Sequence, residues 1–107
     1  MTQEQLPVCP VATTIQLIGS KWKLLIIREL LTGTKRTGEL KRSLPNISQK
    51  VLTETLKSMV QDGLVLRSES HSFPLKVEYS LSDLGQSMVS IFKALEEWGN
   101  EYIKNEG

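Results

Sequence analysis

Ser48, Gln49, Lys50, Thr53 and Lys57 fall within ten residues of one another and carry the most distinctive chemistry of this chain. A glutamine amide pairs with an adenine edge through two hydrogen bonds, a lysine reaches the acceptors of guanine, and a threonine methyl packs on that of thymine. Gln49 and Thr53 are four residues apart, one turn along the same face of a helix. At the N-terminal end of a helix, that set suits the reading of base edges in a major groove. Lys57, farther along, is placed for phosphate. The Ser48 hydroxyl caps the helix and, with the amides behind it, can also meet a phosphate. The competing use of the same residues is solvated surface that touches only the sugar-phosphate backbone.

The elements that must position these side chains follow from the flanking residues. Leu52, Leu56, Met59 and Val60 recur at helical spacing and are expected to face a core, which turns Gln49, Lys50, Thr53, Glu54 and Lys57 outward. Gly63 ends this helix. Before it, Thr37 is expected to cap a shorter helix carrying Leu40 and Leu44, which Pro45-Asn46 stops. Two short helices joined by a tight turn form a helix-turn-helix. Arg36, Thr37, Lys41 and Arg42, with Lys35, surround the first of them, where contacts to the phosphate backbone normally set register.

Upstream, Pro10 opens a helix to about Ile18 with Val11, Ile15 and Ile18 in register, and Gly19 closes it. Ser20 caps the next, whose Trp22, Leu25, Ile26, Ile27, Leu30 and Leu31 cover more than half its circumference, so it is expected to be the central core helix. Thr34 to Arg36 leaves room for an extended link or a very short strand. After Gly63 the period changes to alternation, over Val65 to Glu69 and again at Val77, Tyr79 and Leu81. The resulting hairpin encloses SHSFP and reads as a wing, with His71 and Lys76 as its polar reach and Arg67 on the preceding strand. A lid over the core is the alternative. Ser82 starts the last helix, in which Leu84, Met88, Ile91, Leu95, Trp98 and Tyr102 follow steps of three and four. That stripe is longer than so small a core can cover, and a homodimer would cover it. The expected fold is mainly α with a small β-hairpin, an α+β winged helix-turn-helix with N- and C-terminal dimerisation helices, as a single domain over residues 1–107.

A formal net charge of +1 hides an uneven distribution. Residues 20–57 hold nine Lys/Arg against three Glu, whereas residues 58–107 hold four against eight Asp/Glu. The basic half coincides with the helix-turn-helix, the footprint expected of a phosphate-binding surface. One cysteine excludes an intrachain disulfide and any multi-cysteine metal site. No metal and no cofactor are expected. One His and one Cys far apart, without a glycine-rich phosphate loop, make no catalytic constellation, so the chain is not expected to be an enzyme. The longest apolar run, Leu24 to Leu31, is interrupted by Arg28 and Glu29, and the first ten residues lack a signal-peptide pattern. A cytoplasmic location without membrane attachment is expected.

Four blocks resemble the HxlR-type regulators, small bacterial winged helix-turn-helix proteins related in architecture to the MarR group. They are CPV at Cys9–Val11, IGSKWKLLIIRELL at Ile18–Leu31, LPNISQKVLTETLKSMVQDGLVLR at Leu44–Arg67 and VEYSLSDLG at Val77–Gly85. Thr37-Gly38-Glu39 departs slightly from that pattern. The resemblance implies a homodimeric transcription regulator, more often a repressor, whose terminal helices dimerise while the helix-turn-helix and wing bind double-stranded operator DNA of pseudo-palindromic sequence. It also implies a role for Cys9, since some relatives use a matching cysteine to sense a small electrophile or oxidant. A buried cysteine that merely packs at the helix start is the alternative for Cys9, and a winged helix that binds another protein rather than DNA is the alternative for the whole chain.

Overall fold

The computed structural model describes residues 9–106; the polar lead, residues 1–8, in which the absence of a leader was read, lies outside them. The elements run α1 (Pro10–Ile18), α2 (Lys21–Leu30), α3 (Thr37–Ser43), α4 (Gln49–Gln61), β1 (Val65–Glu69), β2 (Val77–Leu81), α5 (Asp83–Gln86) and α6 (Val89–Glu106). The mainly helical chain with one antiparallel hairpin agrees with the expected class.

Local chemistry explains most boundaries. Pro10 sits at the first turn of α1, where its missing N–H costs nothing. Ser20 caps α2 by accepting the Lys23 N–H, and Ser48 caps α4 by accepting the Val51 N–H at 3.1 Å. The cap of α3 is Arg36, one residue earlier than expected, with Thr37 already helical. Glu39 decides this, because its carboxylate accepts the Arg36 N–H at 3.1 Å and holds the chain open there. At the end of α4, Gly63 takes φ +80°, so that its own N–H reaches the Val60 carbonyl and that of Leu64 reaches Met59.

The core gathers Ile26, Ile27 and Leu30 of α2, Leu40 of α3, Leu44 and Ile47 of the turn, and Leu52, Leu56 and Met59 of α4. Leu64, Val65 and Leu81 continue it into the hairpin. Val60 is only half-buried, at the margin of this core. β1 and β2 pair antiparallel with Val65 opposite Leu81 and Arg67 opposite Tyr79. The extended link before α3 becomes a third, single-residue rung, in which Lys35 and Tyr79 exchange both backbone hydrogen bonds at 2.9 and 2.8 Å.

The helix expected to run unbroken from Ser82 is two helices. Ser82 donates its hydroxyl to the Gly63 carbonyl while accepting the Gly85 N–H, and its own N–H donates to Leu64 O. Gly85 lies so close to that same carbonyl that a Cβ there would approach it to 2.2 Å. α5 is thereby fastened to the start of the hairpin, and the chain turns at Ser87 and Met88 before α6 departs. The break removes Met88 from the expected dimer stripe: it is buried in the core, with Ile91 packed partly against it. What remains outward is Leu84, Leu95, Trp98 and Tyr102, joined by Ile103. α1 corrects the expectation likewise, since only Ile18 is buried while Val11 and Ile15 are 66% and 60% exposed. Neither α1 nor α6 packs substantially on another element. The radius of gyration of 15.2 Å exceeds the roughly 13 Å of a compact chain of this length, because α6 reaches away from the body.

Gly85→Ala is expected to lower the unfolding free energy by about 2 kcal/mol, since the added methyl meets backbone that cannot move aside without disturbing the hairpin. Urea denaturation measures this; an unchanged midpoint would show that the α5 contact is loose.

Candidate nucleic-acid interface

The face of α4 opposite Leu52, Leu56 and Met59 is open to solvent at Gln49, Lys50, Thr53, Glu54 and Lys57. Gln49 and Thr53 stand together one turn apart, the Gln49 Nε2 donating to Thr53 Oγ1 at 3.3 Å. An exposed side-chain bond of this length exchanges readily for a base edge. Ser48 occupies the turn immediately before them. Ile47, 1% exposed, and Leu44, 3% exposed, bolt the turn into the core and fix the angle at which α4 leaves it.

The basic residues around α3 divide into two kinds. Arg36 and Arg42 come together around one open recess that Gly38, Glu39 and Glu78 complete, so two guanidiniums there stand beside two carboxylates. Thr37 is half-buried. Lys41 differs: its Nζ donates to the Ile47 carbonyl at 2.6 Å in a partly buried position. It closes the helix-turn-helix turn from the inside, which sequence spacing could not disclose, since the contact depends on how sharply the chain folds between Leu44 and Ser48.

At the hairpin tip His71 and Lys76 are exposed, as is Phe73 at 99%. The tip closes on itself: the Ser70 N–H donates to the Lys76 carbonyl at 2.8 Å, and the Ser70 and Ser72 hydroxyls lie 2.8 Å apart. Nearer the core, Arg67 and Tyr79 were not among the residues singled out for DNA contact, yet they face α4 across a cleft shared with Thr53, Lys57, Val60 and Gln61. Glu69 first, and then Tyr79, hold the charge of the Arg67 guanidinium more firmly than usual. The sequence places Arg67 on the first strand of the hairpin; the register sets Tyr79 opposite it. Cys9 is exposed in the single chain at the head of α1, where its carbonyl accepts the Thr13 N–H at 2.9 Å. Among the described residues, no helix is long and apolar enough to cross a membrane.

A family model described as HxlR-like helix-turn-helix matches residues 17–107. The chain is 45% identical, over 92% of its length and 83% of the relative's, to YkvN of Bacillus subtilis (strain 168), an uncharacterized HTH-type transcriptional regulator. Among solved structures, that of the HTH-type transcriptional regulator ytcD superposes with a TM-score of 0.87 at 43% identity, covering 91% of this chain and 99% of that one. The oxidized form of the redox regulator HypR superposes with a TM-score of 0.83 at 40% identity, covering 87% and 96%.

The Lys41 contact makes a test independent of DNA. Lys41→Ala is expected to destabilise the chain by about 1 kcal/mol, the usual worth of a charged bond in partly wet surroundings, whereas Arg42→Ala leaves the melting temperature unchanged. Equal melting temperatures for both variants and the wild type would return Lys41 to the solvated surface.

Proposed function

Since the chain belongs to the HxlR-like helix-turn-helix family, we propose that it is a sequence-specific DNA-binding transcriptional regulator, a repressor acting as a homodimer on a pseudo-palindromic operator. One observation carries the reading: the polar, cationic face of α4 stands clear of the core beside an exposed hairpin, in the half of the chain where positive charge is concentrated. α4 enters the major groove with Gln49, Lys50 and Thr53 foremost. Ser48, Lys57, Arg36, Thr37 and Arg42 meet phosphates, with Lys41 behind them holding the turn, and His71 and Lys76 lie along the neighbouring minor groove. The family is one of regulators, not an enzyme class.

Genomic footprinting of the purified protein, followed by titration on the fragments found, tests this. Binding is expected to weaken steeply with salt, with a log-log slope near −5 if two subunits neutralise about six phosphates. Gln49→Ala and Lys50→Ala should each lose on the order of 1–3 kcal/mol on the operator and relax base preference, while Arg42→Ala weakens all duplexes alike. No retained duplex at low salt would favour a protein partner instead.

The homodimer is supported by the apolar faces of α1 and α6, where Val11, Ile15, Leu95, Trp98, Tyr102 and Ile103 are each about half exposed or more and Trp98 stacks on Tyr102 at 5.5 Å. Leu84, on the separate α5, is exposed as well. The exposed Cys9 sits at the start of α1, and the likeness to HypR supports a regulator whose Cys9 answers an oxidant or electrophile. Light scattering should give twice the 12.0 kDa chain mass, and Leu95→Asp with Trp98→Asp should give monomers or aggregates that lose the operator. Diamide should then shift operator affinity in the wild type and not in Cys9→Ser. A 12.0 kDa species at operator-binding concentrations, or equal diamide responses, would remove the dimer or the sensor respectively.

A further inference from the structure

Between α4 and the hairpin lies a cleft of about 440 Å³, walled on one side by Thr53, Lys57, Val60 and Gln61 and on the other by Arg67 and Tyr79. Arg67 and Tyr79 are register partners, so their side chains share the hairpin face that carries Val65 and Leu81 one step closer to the core. The ring of Tyr79 is partly packed on that core, which gives the cleft a firm floor. Arg67 rises from the rim with its Nη1 2.6 Å from Glu69 Oε1, both side chains a little over two-fifths exposed. Lys57 stands across the cleft on the exposed face of α4.

This place has a geometric meaning on a duplex. When a helix occupies the major groove and a hairpin beside it follows the adjacent minor groove, the strand that separates the two grooves must cross the gap between them. Here that gap is lined by a guanidinium, an ammonium and two hydroxyls. A guanidinium fork matches two oxygens of a phosphodiester, and a phosphate also brings the gain of counterion release. The existing partner is weaker: an exposed ion pair such as Arg67 with Glu69 is worth at most about fivefold in an equilibrium.

We propose that Arg67, with Lys57 and Tyr79 beside it, clasps the phosphodiester crossing between the two grooves, and that Glu69 holds the guanidinium until a phosphate displaces it. The inference rests on the DNA-binding reading above and adds three residues to it, Arg67 and Tyr79 as a backbone clasp and Glu69 as a carboxylate that opposes every duplex equally. Arg67 is a positioning residue here, not a base reader.

The test titrates wild type, Arg67→Gln, Glu69→Gln and the double variant on a footprinted fragment and on a random duplex of equal length, over a range of salt. Arg67→Gln is expected to weaken both duplexes about tenfold and to reduce the salt slope by about 2 for a dimer. Glu69→Gln should tighten both by about threefold to fivefold, and the double variant should match Arg67→Gln, because the carboxylate acts only through the guanidinium. A neutral methylphosphonate walked along the fragment should weaken the wild type at one position per half-site and leave Arg67→Gln indifferent there. This last arm needs only folded wild type to reveal whether a single crossing phosphate matters. A wild type that binds while Arg67→Gln equals it in affinity and slope overturns this inference alone, as does a Glu69→Gln gain that persists in the Arg67→Gln background. A wild type that binds no duplex overturns the DNA-binding reading and the clasp with it.

Discussion

The burial of Leu52, Leu56 and Met59 against the α2 core is the constraint on which the DNA-facing surface depends. Each residue of a helix is turned about 100° from the last, so a helix cannot bury this row and also present any other set of residues outward. Rotating α4 by one position would expose side chains whose burial is worth roughly 1.5–3 kcal/mol apiece. Gln49, Lys50, Thr53 and Lys57 are therefore aimed outward by residues that are themselves buried. Ile47 and Leu44 add the second angle, the tilt of α4 relative to α3, and the Lys41 bond to the Ile47 carbonyl secures it across the turn.

The hairpin is fastened to this body at two places, the first through backbone alone and the second through backbone and the Ser82 hydroxyl. Lys35 exchanges hydrogen bonds with Tyr79 before α3 begins, and Ser82 with Gly85 grips Gly63 and Leu64 just past the end of α4. The first joint tolerates changes of side chain, whereas the second depends on the Ser82 hydroxyl and on the missing Cβ of Gly85. The hairpin base, the end of α4 and the start of α3 are thus joined by hydrogen bonds beside the cleft between α4 and Arg67. The tip beyond Glu69 has no comparable tether and is held only by its own Ser70 and Lys76 bonds.

α1 and α6 obey a different balance. Both carry apolar side chains on a face that the rest of the chain leaves uncovered, and α6, at 18 residues, is about 27 Å long with only its first turn packed on the core. Exposed apolar side chains of this kind, with a stacked Trp98 and Tyr102 pair among them, are costly in water unless covered. The turn at Ser87 and Met88 connects the two regimes: Met88 belongs to the core that aims α4, and a few residues later Leu95 and Trp98 belong to the uncovered face.

Much of this was legible in the residue order, because it rests on local physics. Helical spacing of Leu52, Leu56 and Met59, the Ser20 and Ser48 caps, the left-handed Gly63 and the alternation of Val65 to Glu69 act within a few residues, and they marked the helix-turn-helix, the hairpin and the outward row of α4. The last helix was misjudged for the opposite reason. Its heptad-like row is continuous in sequence, but the contact that breaks it joins Gly85 to Leu64, two residues brought together only when the hairpin folds back. The same holds for Lys41 on the Ile47 carbonyl, for Lys35 as a third rung, and for Arg67 facing Lys57 across the cleft. Local spacing determines which face of an element is apolar and which is charged. Only the tertiary structure decides which of those charged groups meet, because that depends on turn geometry and strand register, and neither has a period the sequence can display.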